Sequence, residues 1–212
     1  MNSLSFADIA PRDRYKLLCA TIVPRPIALV TTLGPGGDVN AAPFSFFNVF
    51  SEEPALIVLG LQHKPDHAPK DTTRNIARTG HFVVNLVDEA LADAMNICAV
   101  DFPPEVSEIG AAGLTLREGV EIPVPHIAEA PFALECRREV SLVFGPQREL
   151  LVGEVLRLHA RPGLLDASRM RIDADAYRPV GRLFGDGYAR QNDRFDLVRQ
   201  SYADWARERD AS

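Results

Sequence analysis

Residues 40–48 read Asn40-Ala41-Ala42-Pro43-Phe44-Ser45-Phe46-Phe47-Asn48, a run that follows a turn yet alternates as neither an ordinary strand nor an ordinary loop does. A strand buried on one face alternates apolar and polar residues cleanly. Here two alanines and Pro43 leave the backbone uncluttered beside three phenylalanines, with Asn40, Ser45 and Asn48 interleaved. The run reads as a ligand-facing edge against which a flat molecule can lie.

The flanking sequence turns that edge into part of a sheet. Ile27-Ala-Leu-Val-Thr-Thr-Leu33 is β-rich and stops at Gly34-Pro-Gly-Gly-Asp38, a strong turn signal, so Val39 opens the second arm of a hairpin. Ala55–Leu61 and His81–Val87 are further apolar strands. Between them Asp71–Arg78 predicts a short helix capped by Asp71 and stopped at Gly80. Asp88 predicts a cap for a helix through Glu89–Val100, with Leu91, Ala94, Met95 and Cys98 on a core-facing stripe. Phe132–Phe144 and Glu149–Ala160, joined by Gly145-Pro-Gln147, predict a second, longer hairpin. Phe195, Val198, Tyr202 and Trp205 recur at helical spacing, which predicts an amphipathic helix over 193–209 that packs on the domain or a partner. Residues 103–131 are too short and apolar to separate two domains. The expectation is one domain over 1–212, mainly antiparallel β, closed as a barrel with a few peripheral helices.

Composition narrows the function. The chain has 212 residues, 46% hydrophobic and 25% charged, ordinary values for a water-soluble globular protein. A net charge of −6 argues against general nucleic-acid binding, which needs clustered Lys and Arg. No apolar run is long enough to span a membrane, and the N-terminus lacks the pattern of a signal peptide, so a cytoplasmic protein is expected. Cys19, Cys98 and Cys136 are far apart and odd in number, hence reduced and mostly buried. His63 and His67 are spaced for a helical metal site, but Pro65 lies inside the pair and disfavours the helix, so a polar loop is the better reading.

Val23-Pro-Arg-Pro-Ile-Ala-Leu-Val-Thr-Thr32, the 40–48 run, Lys70-Asp-Thr-Thr-Arg-Asn-Ile76 and Arg178-Pro-Val-Gly-Arg182 occur in this order. That order, over about residues 12–190, resembles the flavin reductase-like family of FMN-binding split-barrel proteins. The resemblance implies a Greek-key split barrel, a homodimer with FMN near the subunit interface, and NADH or NADPH as reductant. Electrons would pass to free flavin, a flavin-dependent monooxygenase or another acceptor.

The residue chemistry agrees independently. FMN joins a planar, apolar ring with a hydrogen-bonding edge to a polyhydroxyl chain and a phosphate, so its site must change character along its length. The Ala41-Ala42-Pro43-Phe44-Ser45 backbone suits close approach of the ring, with Ser45 toward its pyrimidine edge. Asn40, Thr31 and Thr32 suit ribityl hydroxyls or phosphate oxygens; Lys70, Thr72 and the helix start near Asp71 suit the phosphate. Asp71 is awkward beside a phosphate unless Arg74 or Lys70 neutralises it. Arg25, presented rigidly between two prolines, is read as a bidentate flavin contact, with a solvated or interface arginine as the alternative. Phe44, Phe46 and Phe47 are by default core residues, and Glu135 is structural. The glycine-rich stretch 177–188 looks like a mobile lid, and by resemblance Arg182 and Tyr188 lie near substrate; His126 is a further candidate at the mouth. No nucleophile or acid–base dyad is evident, as expected where a flavin carries the chemistry. An FMN-binding electron carrier without nicotinamide activity stays open, as do haem, deazaflavin and pyridoxal phosphate on barrels of related shape.

Overall fold

The computed structural model describes residues 1–103 and 105–210, so residues 104, 211 and 212 of the expected domain lie outside it. The β-rich stretches form the predicted hairpin: β1 (Ala28–Leu33) pairs antiparallel with β2 (Val39–Phe44), Thr32 opposite Asn40, around a turn in which Gly37 takes φ 86°. The 40–48 run is not one strand. It turns at Ser45-Phe46, and β3 (Phe47–Glu52) then pairs with β4 (Ala55–Gln62). After β5 (His81–Leu86) come the two-residue strands β6 (Leu116–Arg117) and β7 (His126–Ile127), and the long hairpin β8 (Phe132–Phe144) and β9 (Arg148–Ala160). Among the described residues three small two-stranded pairs stand beside the main sheet: β10 (Leu165–Asp166) with β11 (Arg171–Ile172), β12 (Val180–Arg182) with β13 (Tyr188–Arg190), and the β6–β7 ribbon.

Seven strands form one antiparallel sheet in the order β2-β1-β5-β8-β9-β4-β3. Its two outer strands, β2 and β3, are consecutive in the chain, so the Ser45-Phe46 corner links one edge of the sheet to the other and curls it into a split barrel. A hydrogen bond from the Gly60 amide to the Phe46 carbonyl, 2.6 Å, fastens the corner to β4. Residue 60 has to be glycine for this approach, since a Cβ there would lie 2.8 Å from the Cβ of Phe46. Inside the curl, Ala28, Val30, Leu59, Leu61, Phe82, Val84, Cys136 and Leu151 make one apolar core, against which Ile76 of α2 (Asp71–Thr79) packs. On another side Leu29, Val87, Leu91, Met95 and Cys98 make a second core.

Two of the expected helices, over 89–100 and 193–209, are shorter than their sequence periodicity implies. Besides α1 (Pro11–Thr21) and α2, the chain forms α3 (Ala92–Ile97), α4 (Glu108–Ala111) and α5 (Tyr202–Asp210). Asp88 does not cap a helix over 89–100. Its carboxylate accepts the Leu91 amide at 3.1 Å in a turn and pairs with Arg161, and α3 begins only after that turn. Leu91, Met95 and Cys98 are nevertheless in the core as predicted. Asp71 is the first helical residue of α2 rather than its cap, a position held by Lys70; Gly80 closes the helix with φ 72°. The helix expected over 193–209 is confined to α5, and Phe195, Leu197 and Val198 before it are exposed. Spacing alone supplied no surface for them to pack on. His63 and His67 fall in the β4–α2 connection, His63 against Glu149. All three cysteines are free and buried.

Candidate functional site

The 40–45 backbone walls a trough of three adjoining lobes, of about 430, 230 and 180 Å³, and Pro43 and Phe44 line all three. The first lobe runs from Asn40–Pro43 to Lys64, Lys70, Asp71 and Thr72, with Cys98, Ala99 and Val100 opposite. Asn40 donates to the Thr72 hydroxyl at 3.1 Å, which ties the start of α2 to β2. Lys70 has no side-chain capping bond to offer the helix, and the amides of Asp71, Thr72 and Thr73 have no hydrogen bond among the described residues. Three open amides at the positive end of a helix, beside the ammonium groups of Lys64 and Lys70, form a donor set suited to a phosphate. Asp71 is neutralised by Arg74, as the sequence required of any anion site here. Asp101 and Glu108 also line this lobe, so its positive potential is concentrated at the helix start.

The second lobe is lined by Tyr15 of α1, Ile27, Pro43, Phe44, Ser45, Met95, Asn96, Arg182 and Tyr188. The third adds Phe46, Gln62 and Arg148. Arg182 stacks over the Tyr188 ring at 4.5 Å and donates to the Gly185 carbonyl, so the β12–β13 ribbon presents a flat cationic surface to the trough. Arg148 lies 5.8 Å over the Phe46 ring. The trough thus passes from a donor-rich helix start through bare backbone to an aromatic and cationic end. A larger cleft, about 650 Å³ beside Pro24 and Tyr177, is less suited to a charged ligand, because Arg190 and Arg194 on its rim are already paired with Glu89 and Asp175.

Several residues singled out from the sequence sit elsewhere. Arg25 is 8% exposed and its guanidinium is spent on the protein: it donates to the Cys19 carbonyl at 2.6 Å, to Ile22 and Leu183 carbonyls at 3.0 Å each, and to the Ser45 hydroxyl at 3.4 Å. It braces the trough from behind and has no fork left for a flavin. Thr31 and Thr32 are fully buried, and β1 lies between β2 and β5 with both faces covered. Thr31 donates to the Pro125 carbonyl at 2.7 Å, and Thr32 accepts from Asn75 at 3.1 Å. Neither lines the trough. His126 is not at its mouth; it occupies a separate cleft with His159. Sequence reasoning passed over Tyr15, Lys64, Asn96, Ala99 and Arg148, whose membership depends on α1, the β4–α2 connection, the end of α3 and β9 folding toward β2. Glu135 is structural: burial opposes its ionisation, but the amides of Val120, Glu121 and Ile122 and the ring of His159 outweigh that and hold its carboxyl below the ordinary range.

The family model described as flavin reductase like domain matches residues 20–181. An uncharacterized protein of Halalkalibacterium halodurans is 41% identical over 196 residues, covering 90% of this chain and 93% of its own. Among solved structures, 2-nitrobenzoate 2-nitroreductase of Pseudomonas fluorescens is 37% identical with a TM-score of 0.88, covering 95% of this chain and 98% of that one. Nitrilotriacetate monooxygenase component B of Bacillus cereus is 38% identical, also with a TM-score of 0.88, over 93% of this chain and 98% of that one. A split barrel whose corner and adjoining helix start wall one trough, matched over most of its length by these proteins, belongs to the flavin reductase-like family.

Proposed function

We propose that this chain binds FMN along the trough and acts as an oxidoreductase that takes electrons from NADH or NADPH and delivers them to free flavin, a partner monooxygenase or another acceptor. The observation that carries this reading is the change of chemistry along one wall, from open amides and Lys70 at the start of α2, past the side-chain-poor Ala41-Ala42-Pro43 backbone, to Phe44, Ser45, Arg182 and Tyr188. A dianionic phosphate, a hydroxyl-rich chain and a flat ring need those surroundings in that order.

Bound FMN supplies hydride acceptance and electron release, chemistry that no side chain here provides. The chain's residues hold and orient. Lys70, Lys64 and the α2 amides hold the phosphate; Asn40, already fixed to Thr72, offers its remaining polar capacity to the ribityl chain. The 42–45 backbone and Ser45 face the ring, and Arg182 over Tyr188 gives a planar cationic platform for a nicotinamide dinucleotide. A homodimer, in the cytoplasm, is the assembly we expect, with exposed apolar residues Val49, Phe50, Val143 and Phe144 toward the second copy.

Anaerobic titration tests the reading. The purified protein, loaded with FMN, should bleach stoichiometrically with NADH or NADPH and recolour on adding free flavin. Bleaching by dithionite but by neither nucleotide would reassign the chain as an FMN-binding electron carrier, and failure to retain FMN would remove both readings.

A further inference from the structure

The His126–His159 cleft shares no lining residue with the trough and has about 480 Å³ of space. It lies between the β6–β7 ribbon and the ends of β8 and β9. The ribbon is fixed firmly there: Asn85, fully buried, accepts the Ile127 amide at 2.8 Å and donates to the Leu29 carbonyl at 2.9 Å, while Thr31 holds the Pro125 carbonyl. His126 and His159 are stacked, centroids 4.3 Å apart and planes 13° from parallel. Ala128, Ala130, Ala133 and Ala160 leave the floor free of bulk. The space is therefore uncluttered and preformed, of the size that small-molecule sites occupy.

The polar groups around it are unequal. His159 Nε2 lies 2.5 Å from the ionised Glu135 carboxylate, so that nitrogen carries its proton. His126 Nδ1 is buried with no hydrogen-bond partner. A lone pair is cheaper to leave there than an N–H, which places the proton of neutral His126 on Nε2; burial and the neighbouring His159 both push this ring toward its neutral form. Arg161 is committed to Asp88 and to the Glu129 carbonyl at 3.4 Å. The guanidinium of Arg117, directly across the ribbon from His126, makes no hydrogen bond or ion pair among the described residues. One free guanidinium, with Glu118 beside it on the rim, suits a single negative charge and opposes a double one.

We propose that this cleft is a second ligand site, independent of the flavin trough, that takes a small planar monocarboxylate, with the carboxylate on Arg117, a hydrogen bond from His126 and the flat body on the alanine floor beside the stacked imidazoles. The proposal does not depend on the trough holding FMN.

The test uses the full chain saturated with FMN, with benzoate as probe and imidazole nitrogen NMR as readout. Benzoate should shift the His126 and His159 resonances saturably, and its neutral analogue benzamide and inorganic phosphate should not. Arg117→Ala, at an exposed position without partners, should fold normally, keep its flavin content, and weaken benzoate binding about tenfold or more, the loss expected for a charge-assisted pair. Arg117→Lys should recover part of the affinity. Absence of a saturable histidine shift would overturn the site, as would equal binding by Arg117→Ala or equal response to phosphate. A benzoate effect that expels FMN and leaves both histidine signals still would place the binding in the trough and also overturn it.

Discussion

Replacing Arg25 by alanine should loosen the frame of the trough before it touches any ligand. The guanidinium collects two carbonyls from the end of α1, one from Leu183 on the β12–β13 ribbon and the Ser45 hydroxyl at the barrel corner. Charge-assisted hydrogen bonds contribute about 1.5–3 kcal/mol each when isolated, but the 3.4 Å contact to Ser45 is weak and the two α1 carbonyls share one nitrogen. Together with the charge that Arg25 places at the negative end of α1, a net loss of about 3–4 kcal/mol is expected. For a chain of this length each kcal/mol moves Tm by about 2–4 °C, so Arg25→Ala should melt roughly 6–16 °C lower in calorimetry. Arg25→Lys should recover less than half, since an ammonium group cannot reach three separated carbonyls with one fork. Backbone amide exchange would add the spatial signature: faster exchange at both the α1 end and residues 182–188, segments far apart in sequence. A variant melting within 2 °C of the parent, about the effect of 1 kcal/mol or less, would refute the assignment of Arg25 as the brace.

Lys70→Ala should weaken FMN binding about tenfold to a hundredfold, measured by fluorescence titration, and leave riboflavin binding nearly unchanged because riboflavin has no phosphate; equal losses for both ligands would count against the phosphate assignment. Gly60→Ala should lower stability by about 1–3 kcal/mol in urea unfolding, because the added Cβ meets Phe46 at 2.8 Å where the corner joins β4. Glu135 has its folded-state pKa depressed, so its contribution to stability is present above the ordinary glutamate range and is lost as pH falls through the lowered value. Glu135→Gln should cost about 1–3 kcal/mol at neutral pH and flatten this acid limb of the Tm–pH profile, whereas an unchanged limb would assign acid sensitivity to other carboxylates.

Strands and turns were readable because they are local. The alternation in Glu135–Leu142 and the glycine cluster at 34–38 encode pairing with chain neighbours, and β1, β8, β9 and the start of β2 fall within a residue or so of expectation. The corner at Ser45-Phe46 was not readable, because its cause is a contact with Gly60 on another strand. Thr31 and Thr32 illustrate the same limit: their β character is local, but the groups that consume their hydroxyls, Pro125 and Asn75, arrive from distant segments. Arg25 was recognisable as rigidly presented between prolines, yet its direction depends on Leu183, 158 positions away. The end of the trough at the start of α2 was more legible, since a helix start advertises its own open amides. Periodicity overstated the helices at 89–100 and 193–209, where a turn at Asp88 and a lack of packing partners decided the outcome.

The junction of the two sheet edges makes the barrel a closed loop with one seam, and Phe44 and Ser45, which line the trough, belong to that seam. A molecule resting there spans the place where the sheet would peel apart. Occupancy should therefore be felt as mechanical stiffness as well as colour: the Gly60 amide, which holds the seam through Phe46, would exchange with solvent more slowly in the loaded protein than in the empty one.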